Sequence, residues 1–173
     1  MIFGTVYLTD RILPSGTFCN DRLYSQEISA AAYRHGIDPE LVRALIWRES
    51  RFDRNSRGSR GERGLMQIMP DGAAASWAKA VKHAPVPASD LCNVTVNLEI
   101  GCWYLAAGLR EYSDFKDGVQ LALARYNAGP SKAAEWKPQT PGGAVRITYP
   151  DTEKYVADIM QKYRYYREQK KAE

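Results

Sequence analysis

Apolar residues recur at helical spacing along most of the chain. Ile28, Ala31 and Ala32 share one stripe, which predicts a first helix over residues 21–35 that ends at Gly36. No segment alternates apolar and polar residues for long enough to predict a strand. The predicted fold class is therefore mainly α, with several helices and little or no sheet.

Start and stop signals place the other helices. Asp38-Pro39-Glu40 combines an N-cap residue, a proline at the first helical position and an early acid. Asp117 is predicted to cap a later helix, which stops at Gly129-Pro130. The predicted helices after the first cover residues 39–51, 71–82, 96–112, 119–127 and 152–169. The predicted loops between them, rich in Arg, Gly, Ser or Pro, cover residues 53–63, 84–90 and 137–151.

Length and composition are those of one globular domain. The chain has 173 residues, of which 45% are hydrophobic and 25% charged. We divide it into an N-terminal extension over 1–20, a helical domain over 21–158 and a charged helix end over 159–173. No stretch of about 18 apolar residues is present, so no membrane span is expected. Residues 1–8 lack a basic start and a small-residue cleavage site, so no export signal is evident.

The net charge of +4 favours anionic partners, namely nucleic acid, a membrane surface or an acidic cell wall. The two predicted helices within residues 25–51 resemble a helix-turn-helix. The basic residues form no recognisable recognition helix, however, which argues against a DNA-binding protein.

The cysteines and histidines do not predict a metal site. His35 and His83 are far apart, and no Cys/His group has metal-ligand spacing. Cys92 and Cys102 are ten residues apart, which is compatible with a disulfide or with two small buried side chains. The third cysteine is Cys19.

Glu49 is the residue whose position suggests chemistry. At about 100° per residue, Val42, Leu45 and Ile46 all lie within about 60° of it on the helix, so it projects from the apolar face. Burial and the negative end of the helix dipole both favour the protonated carboxyl. A pKa of about 6 is known for the comparable acid of lysozyme. A buried Glu held by an Arg, without a chemical role, is the other interpretation.

Five motifs follow one another in order. They are Glu49-Ser50 with Phe52; Gly64-Leu65-Met66-Gln67-Ile68-Met69-Pro70; Asn97-Leu98 with Gly101 and Tyr104-Leu105; Tyr126-Asn127-Ala128-Gly129-Pro130 with Trp136; and Ile147-Thr148-Tyr149-Pro150-Asp151-Thr152 with Tyr155-Val156. Together, over about residues 25–158, they resemble the soluble lytic transglycosylases, whose lysozyme-like domain cleaves peptidoglycan. The fifth motif departs from the family pattern: Asp151-Thr152-Glu153 stands where the family has Glu-Thr-Arg, which removes one possible ion pair.

The resemblance implies a mechanism and a set of site residues. Glu49 would protonate the bond between N-acetylmuramic acid and N-acetylglucosamine, and would then act as base as the muramic acid 6-hydroxyl closes a 1,6-anhydro ring. No metal or cofactor is implied. The substrate-binding residues it implies are Ser50, Gly64, Met66, Gln67, Tyr126, Asn127, Tyr149 and Asp151.

Specific roles follow for some of these residues. Met66 is expected as an apolar wall of the cleft, Gln67 as an amide donor to the sugar and Tyr126 as a hydroxyl beside Glu49. Asn127 is expected to bind an acetamido group, and Asp151 to be a supporting second acid.

Peptidoglycan glycan strands are the implied partner, met by a monomer in the periplasm or outside the cell. Two other functions stay open: a goose-type lysozyme-like muramidase, which hydrolyses the same bond, and a non-catalytic peptidoglycan-binding domain of a secretion system or phage particle. The Arg-rich loop at 54–63 is either a solvated loop or a contact with wall polymers, to which Arg57 and Arg60 would contribute.

Overall fold

The computed structural model of this protein describes residues 21–172, and the predicted N-terminal extension with Cys19 lies outside them. Within these residues the fold has seven α-helices and no β-strand. The helices are α1 (Ser25–Arg34), α2 (Pro39–Ser50), α3 (Ala75–Ala80), α4 (Val94–Glu111), α5 (Gly118–Ala128), α6 (Pro130–Trp136) and α7 (Pro150–Ala172). A π-helical turn at Pro70–Ala74 and a 3-10 turn at Asp90–Cys92 complete the described elements. The prediction of a mainly α fold is confirmed.

Most predicted helices lie within a few residues of the observed ones, and two predictions need correction. The first helix begins at Ser25 instead of residue 21, because Tyr24 has a left-handed φ of 61° that a helix cannot continue through. The Asp117 side chain makes no capping hydrogen bond to the backbone of α5. Its carboxylate instead accepts a hydrogen bond of 3.4 Å from the Gln120 side chain.

Helix α6 was not predicted. Gly129 has a φ of 87°, which ends α5, and Pro130 occupies the first position of α6. Proline is favoured there because its missing N–H is not needed in the first turn. The Gly-Pro pair is therefore both a stop and a start signal.

The core lies where α2, α4, α5 and α7 meet. Helix α2 packs along α7, α4 packs on α5, and α5 also contacts α6 and α7. The fully buried side chains at this meeting point include Leu45, Ile46, Ile100, Leu105, Leu121, Leu123 and Ile159. The described cysteines are free thiols, with Cys102 buried and Cys92 half-buried.

Helix α7 continues without a break through residue 158, where the sequence suggested a domain end. Beyond that point Ile159 and Tyr166 are buried. The Tyr163 hydroxyl donates a hydrogen bond of 2.7 Å to Asp38, which caps α2. The second half of α7 thus packs on the same core as the first.

Candidate active site

Glu49 lies in the last turn of α2. Asp38 caps the start of this helix by accepting a hydrogen bond of 3.0 Å from the Glu40 N–H, as predicted. Arg51 and Phe52 follow its end with left-handed φ values of 53° and 66°, and Phe52 is buried. These two residues form a turn directly after α2.

The carboxyl of Glu49 faces α7. The Tyr155 hydroxyl donates a hydrogen bond of 2.5 Å to Glu49 Oε1. Burial raises the pKa of Glu49 from 4.5 to about 7, while the Tyr155 hydrogen bond and the charge of Arg48 oppose that rise. The predicted direction of the shift is confirmed, and burial is its main cause. Glu49 is thus an acid that gains and loses a proton near neutral pH.

Arg48 is engaged with α7. Its Nε lies 3.3 Å from a carboxylate oxygen of Asp158, and its guanidinium lies 5.3 Å from the centre of the Tyr155 ring. The hydrogen-bond partner of Glu49 is therefore a neutral hydroxyl group, and Arg48 acts on Glu49 through its charge. This arrangement differs from a Glu neutralised by an arginine.

Tyr126 lies next to Glu49 but bonds elsewhere. Its hydroxyl donates a hydrogen bond of 2.9 Å to the Met66 carbonyl oxygen. Burial and the nearby Glu49 both raise the pKa of Tyr126 well above its usual value. Tyr155 has the same shift, chiefly through burial. Both tyrosines are thus neutral side chains beside the acid.

The loop at residues 63–67 is held by Asn97 of α4. The fully buried Asn97 side chain accepts a hydrogen bond of 2.8 Å from the Met66 N–H and donates to the carbonyl oxygens of Arg63 at 2.9 Å and Leu91 at 2.7 Å. These three bonds connect the loop to α4 and to the 3-10 turn.

Gly64 and Ser50 complete the attachment of this loop. Gly64 has a φ of 75°, and a Cβ there would collide with the Leu91 carbonyl oxygen and the Asn97 amide. Only glycine tolerates both this left-handed φ and such close packing. The buried Ser50 hydroxyl donates a hydrogen bond of 2.8 Å to the Leu65 carbonyl oxygen. Ser50 and Gly64, both predicted to bind substrate, therefore have clear packing roles.

Met66 and Gln67 lie in the same loop, in different environments. Met66 is fully buried, and a Cβ on Gly101 would collide with its side chain. This placement makes Met66 a core residue; it does not line an open cleft. Gln67 is half-buried with a φ of 47°, and its amide nitrogen donates to the carbonyl oxygens of Gly64 at 2.8 Å and Ser56 at 3.2 Å.

The fourth and fifth motifs meet where α5 ends and α7 begins. The Asn127 side-chain oxygen accepts a hydrogen bond of 2.8 Å from the buried Thr152 hydroxyl. Asp151 is exposed in the first turn of α7. Tyr149 is 42% exposed and packs edge-on against Trp136 with ring centres 5.3 Å apart. Glu49 itself is contacted by Tyr155, one turn beyond Asp151.

Three residues near Glu49 had no assigned role. Tyr155 and Asn97 belong to the quoted motifs, but only the packing of α2 against α7, and of α4 against the loop, reveals their contacts. Glu62 lies in the Arg-rich loop, where nothing in the sequence distinguishes it from a solvated charge. Its charge raises the pKa of Glu49.

Residues 26–146 match the family described as the Transglycosylase SLT domain. The chain belongs to this family. In structure it is similar to an inactive mutant of lytic transglycosylase Slt from Pseudomonas aeruginosa, with a TM-score of 0.75 and 23% identity, over 87% of this chain and 25% of that one. It is also similar to the 70 kDa soluble lytic transglycosylase from Escherichia coli, with a TM-score of 0.71 and 22% identity, over 84% of this chain and 25% of that one.

A third similar structure is a complex of the 70 kDa soluble lytic transglycosylase with bulgecin A, with a TM-score of 0.73 and 23% identity. This chain covers 24% of that one and thus spans about a quarter of the length of these proteins. The similarity shows that the fold is the lysozyme-like helical fold expected from the motifs. Within residues 21–172, no helix is long and apolar enough to cross a membrane.

Proposed function

We propose that this protein is a peptidoglycan lytic transglycosylase, with Glu49 as its general acid and base. The observation that carries the proposal is the Glu49 carboxyl, which is half-buried, has a pKa raised to about 7 and is hydrogen-bonded to the Tyr155 hydroxyl. A general acid works best when its pKa is near the operating pH. Membership of the SLT family and likeness to lytic transglycosylases support the same reaction.

The reaction begins with proton transfer. Protonated Glu49 donates its proton to the oxygen of the β-1,4 bond between N-acetylmuramic acid and N-acetylglucosamine, and the bond from C1 to that oxygen breaks. The carboxylate that forms keeps the Tyr155 hydrogen bond and the nearby positive charge of Arg48. Both stabilise the ionised form.

The second half of the reaction restores the acid. The 6-hydroxyl oxygen of the muramic acid bonds to C1, and its proton returns to Glu49. The product is a 1,6-anhydro end, formed without water. An internal nucleophile removes the need for the nucleophilic or water-activating second carboxylate that most glycosidases use.

The substrate would lie across the groups around Glu49. Asn127 at the end of α5 would lie on one side with Tyr149 and Asp151 near the start of α7, and the half-buried Gln67 would lie on the loop side. A surface depression of about 420 Å³, bounded by Trp136, adjoins Tyr149. These residues are proposed sugar or peptide contacts of a monomer that acts in the periplasm or outside the cell.

Digestion of purified peptidoglycan sacculi, with mass spectrometry of the released muropeptides, tests the proposal. The wild-type protein is expected to release anhydro-muropeptides, and Glu49→Gln is expected to release none. Glu27→Gln, at an exposed position of α1, is the matched control and is expected to behave as wild type.

Other products contradict the proposal in distinct ways. Reducible ends that disappear in Glu49→Gln would assign a goose-type muramidase. Sacculi that are bound but not cut by the wild-type protein would assign a non-catalytic wall-binding domain. Anhydro products from Glu49→Gln would remove Glu49 from the mechanism.

A further inference from the structure

Glu62 is a second carboxylate near the site that the mechanism above does not use. It precedes Arg63, which forms isolated antiparallel bridges with both Arg57 and Ile68. These bridges order the loop despite its polar composition. The Glu62 side chain is only 13% exposed, which is low for an acid in a surface loop.

Both carboxylate oxygens of Glu62 are fixed by Arg60. The Arg60 guanidinium Nε donates to Oε1 at 2.9 Å, and the Arg60 backbone N–H donates to Oε2 at 2.9 Å. The side chain packs over Gly58, where a Cβ would collide with the carboxylate. Each oxygen still has a lone pair for a further partner.

These contacts keep Glu62 ionised. Burial alone would raise the pKa of Glu62, but the hydrogen bonds from its own backbone and from Arg60 outweigh burial and hold the pKa below its usual value. Glu62 is therefore a carboxylate at any pH at which Glu49 is a working acid.

The loop places this charge close to Glu49. The hydrogen bond from Ser50, the residue after Glu49, to the Leu65 carbonyl oxygen holds the loop against the end of α2. The charge of Glu62 raises the pKa of Glu49, and the charge of Arg60 lowers it, so both groups lie within electrostatic reach.

The other groups that act on Glu49 lie on the helices. Tyr155 on α7 and Arg48 on α2 act on its pKa, and Tyr126 on α5 is itself affected by its charge. A pair of carboxyl groups held in opposite protonation states is a recurrent arrangement in enzymes that run acid and base chemistry at neutral pH.

We infer that Glu62 is a second catalytic carboxylate, which faces the muramic acid ring from the loop side and stabilises the positive charge that develops there as the glycosidic bond breaks. This inference rests on the proposed function. The transition state of glycoside cleavage has oxocarbenium character, so a fixed negative charge beside the ring favours it over the neutral ground state. Glu62 forms no covalent bond and transfers no proton, and the proton and nucleophile remain those described above.

The test compares Glu62→Gln with Arg60→Gln. Glu62→Gln removes the charge, and kcat on soluble glycan strands is expected to fall about 100-fold with little change in KM, a loss of the size seen when a transition-state stabiliser is removed. Arg60→Gln keeps the carboxylate and loses one anchor, so a smaller loss is expected. Glu62→Asp, which keeps the charge, is expected to recover part of the activity.

The pH profile tests whether the Glu62 charge reaches Glu49 in the folded enzyme, and the loss of kcat tests the chemical role. Loss of the Glu62 charge lowers the pKa of Glu49, so the basic limb of the rate profile moves to lower pH in Glu62→Gln. Loss of the Arg60 charge moves the same limb to higher pH in Arg60→Gln. A damaged loop would not shift the two limbs in opposite directions.

Several results would overturn the inference. An unchanged kcat in Glu62→Gln would do so. Equal losses of kcat in Glu62→Gln and Arg60→Gln, with the basic limb moving in the same direction in both, would also do so, because they indicate a structural ion pair. If Glu62→Gln does not fold, the Arg60→Gln variant decides. A basic limb of its rate profile that stays in place or moves to lower pH also overturns the inference. Anhydro products from the wild-type protein with an unaffected Glu62→Gln overturn this inference alone, whereas an inactive wild-type protein overturns the proposed function with it.

Discussion

Two walls flank Glu49, and they are held together in different ways. The helical wall consists of α2, α5 and α7, and it is fixed by apolar side chains such as Ile46, Leu121 and Ile159, each fully buried. The loop wall consists of residues 56–68. Its Leu65, Met66 and Ile68 side chains are buried in the core, and hydrogen bonds from the buried side chains of Asn97 and Ser50 fix its backbone.

The difference shows how each wall responds to change. Apolar burial is non-directional, so exchange of one buried apolar side chain for another of similar volume costs little, although truncation to Ala leaves a costly cavity. Hydrogen bonds are directional, and a buried group that loses its partner costs the full desolvation of that group. The helical wall therefore tolerates apolar exchanges that conserve volume, whereas the backbone of the loop wall depends on a few polar side chains.

The largest expected effect is at Asn97. Asn97→Ala leaves the Met66 N–H and the Leu91 carbonyl oxygen without the Asn97 partner, while the Arg63 carbonyl oxygen keeps its hydrogen bond of 2.9 Å from the Ile68 N–H. We expect the free energy of unfolding to fall by about 4 kcal/mol, since each buried unsatisfied group costs roughly 1–3 kcal/mol. Urea denaturation measures this loss.

Asn93→Ala is the control for Asn97, because Asn93 is an exposed cap at the start of α4 with one hydrogen bond of 3.2 Å to the Val96 N–H. Loss of such a cap costs about 1 kcal/mol. Equal losses for the two variants would show that the loop wall does not depend on Asn97.

The next effect is a pH-dependent one in the helical wall. Below pH 4.5 Glu49 is protonated in the folded and the unfolded chain; between pH 4.5 and about 7 only the folded chain keeps the proton. The stability that protonated Glu49 contributes is therefore lost as pH rises through about 7. A rise in pKa from 4.5 to about 7 corresponds to a loss of about 3 kcal/mol.

Glu49→Gln removes this loss. The variant is expected to be more stable than the wild-type protein at pH 8, with the advantage disappearing near pH 4, as measured by urea denaturation at both values. The exposed Glu27→Gln control is expected to follow the wild-type curve. Parallel pH curves for Glu49→Gln and wild type would mean that Glu49 pays no desolvation cost in the fold.

The smallest expected effect is at Tyr155. Tyr155→Phe removes the hydrogen bond that favours ionised Glu49, so the pKa of Glu49 rises further above 7. The basic limb of the rate profile is expected to move up by about one pH unit, the equivalent of one hydrogen bond.

Tyr126→Phe is the matched control on the helical wall, because its hydroxyl bonds to the Met66 carbonyl oxygen and not to Glu49. We expect its basic limb to stay in place. A limb that moves equally in both variants would show that the Tyr155 hydroxyl has no specific effect on the acid.

The helical wall could be predicted from the sequence. Helical spacing and the Asp38 cap placed α2 and showed that Glu49 projects from its apolar side, which is enough to predict a raised pKa. Periodicity carries this information because each helix face is set by local geometry.

The loop wall could not be predicted in the same way. The contacts of Asn97 and Ser50 join segments that periodicity does not relate, and Glu62 differs from a solvated acid only through its three-dimensional surroundings. The Tyr155 hydrogen bond likewise joins residues 106 positions apart in the chain. The sequence motifs place such residues near the site, but their contacts follow from tertiary packing.

The two described cysteines have very different environments. Burial raises the pKa of the Cys102 thiol to about 12, which makes it unreactive towards alkylating reagents. Cys92 is half-buried and follows Leu91, whose carbonyl oxygen Asn97 holds. With Cys19 replaced, a thiol-reactive fluorophore would therefore label Cys92 selectively, and its emission would report the order of the loop wall while leaving the acid and its tyrosine partner untouched.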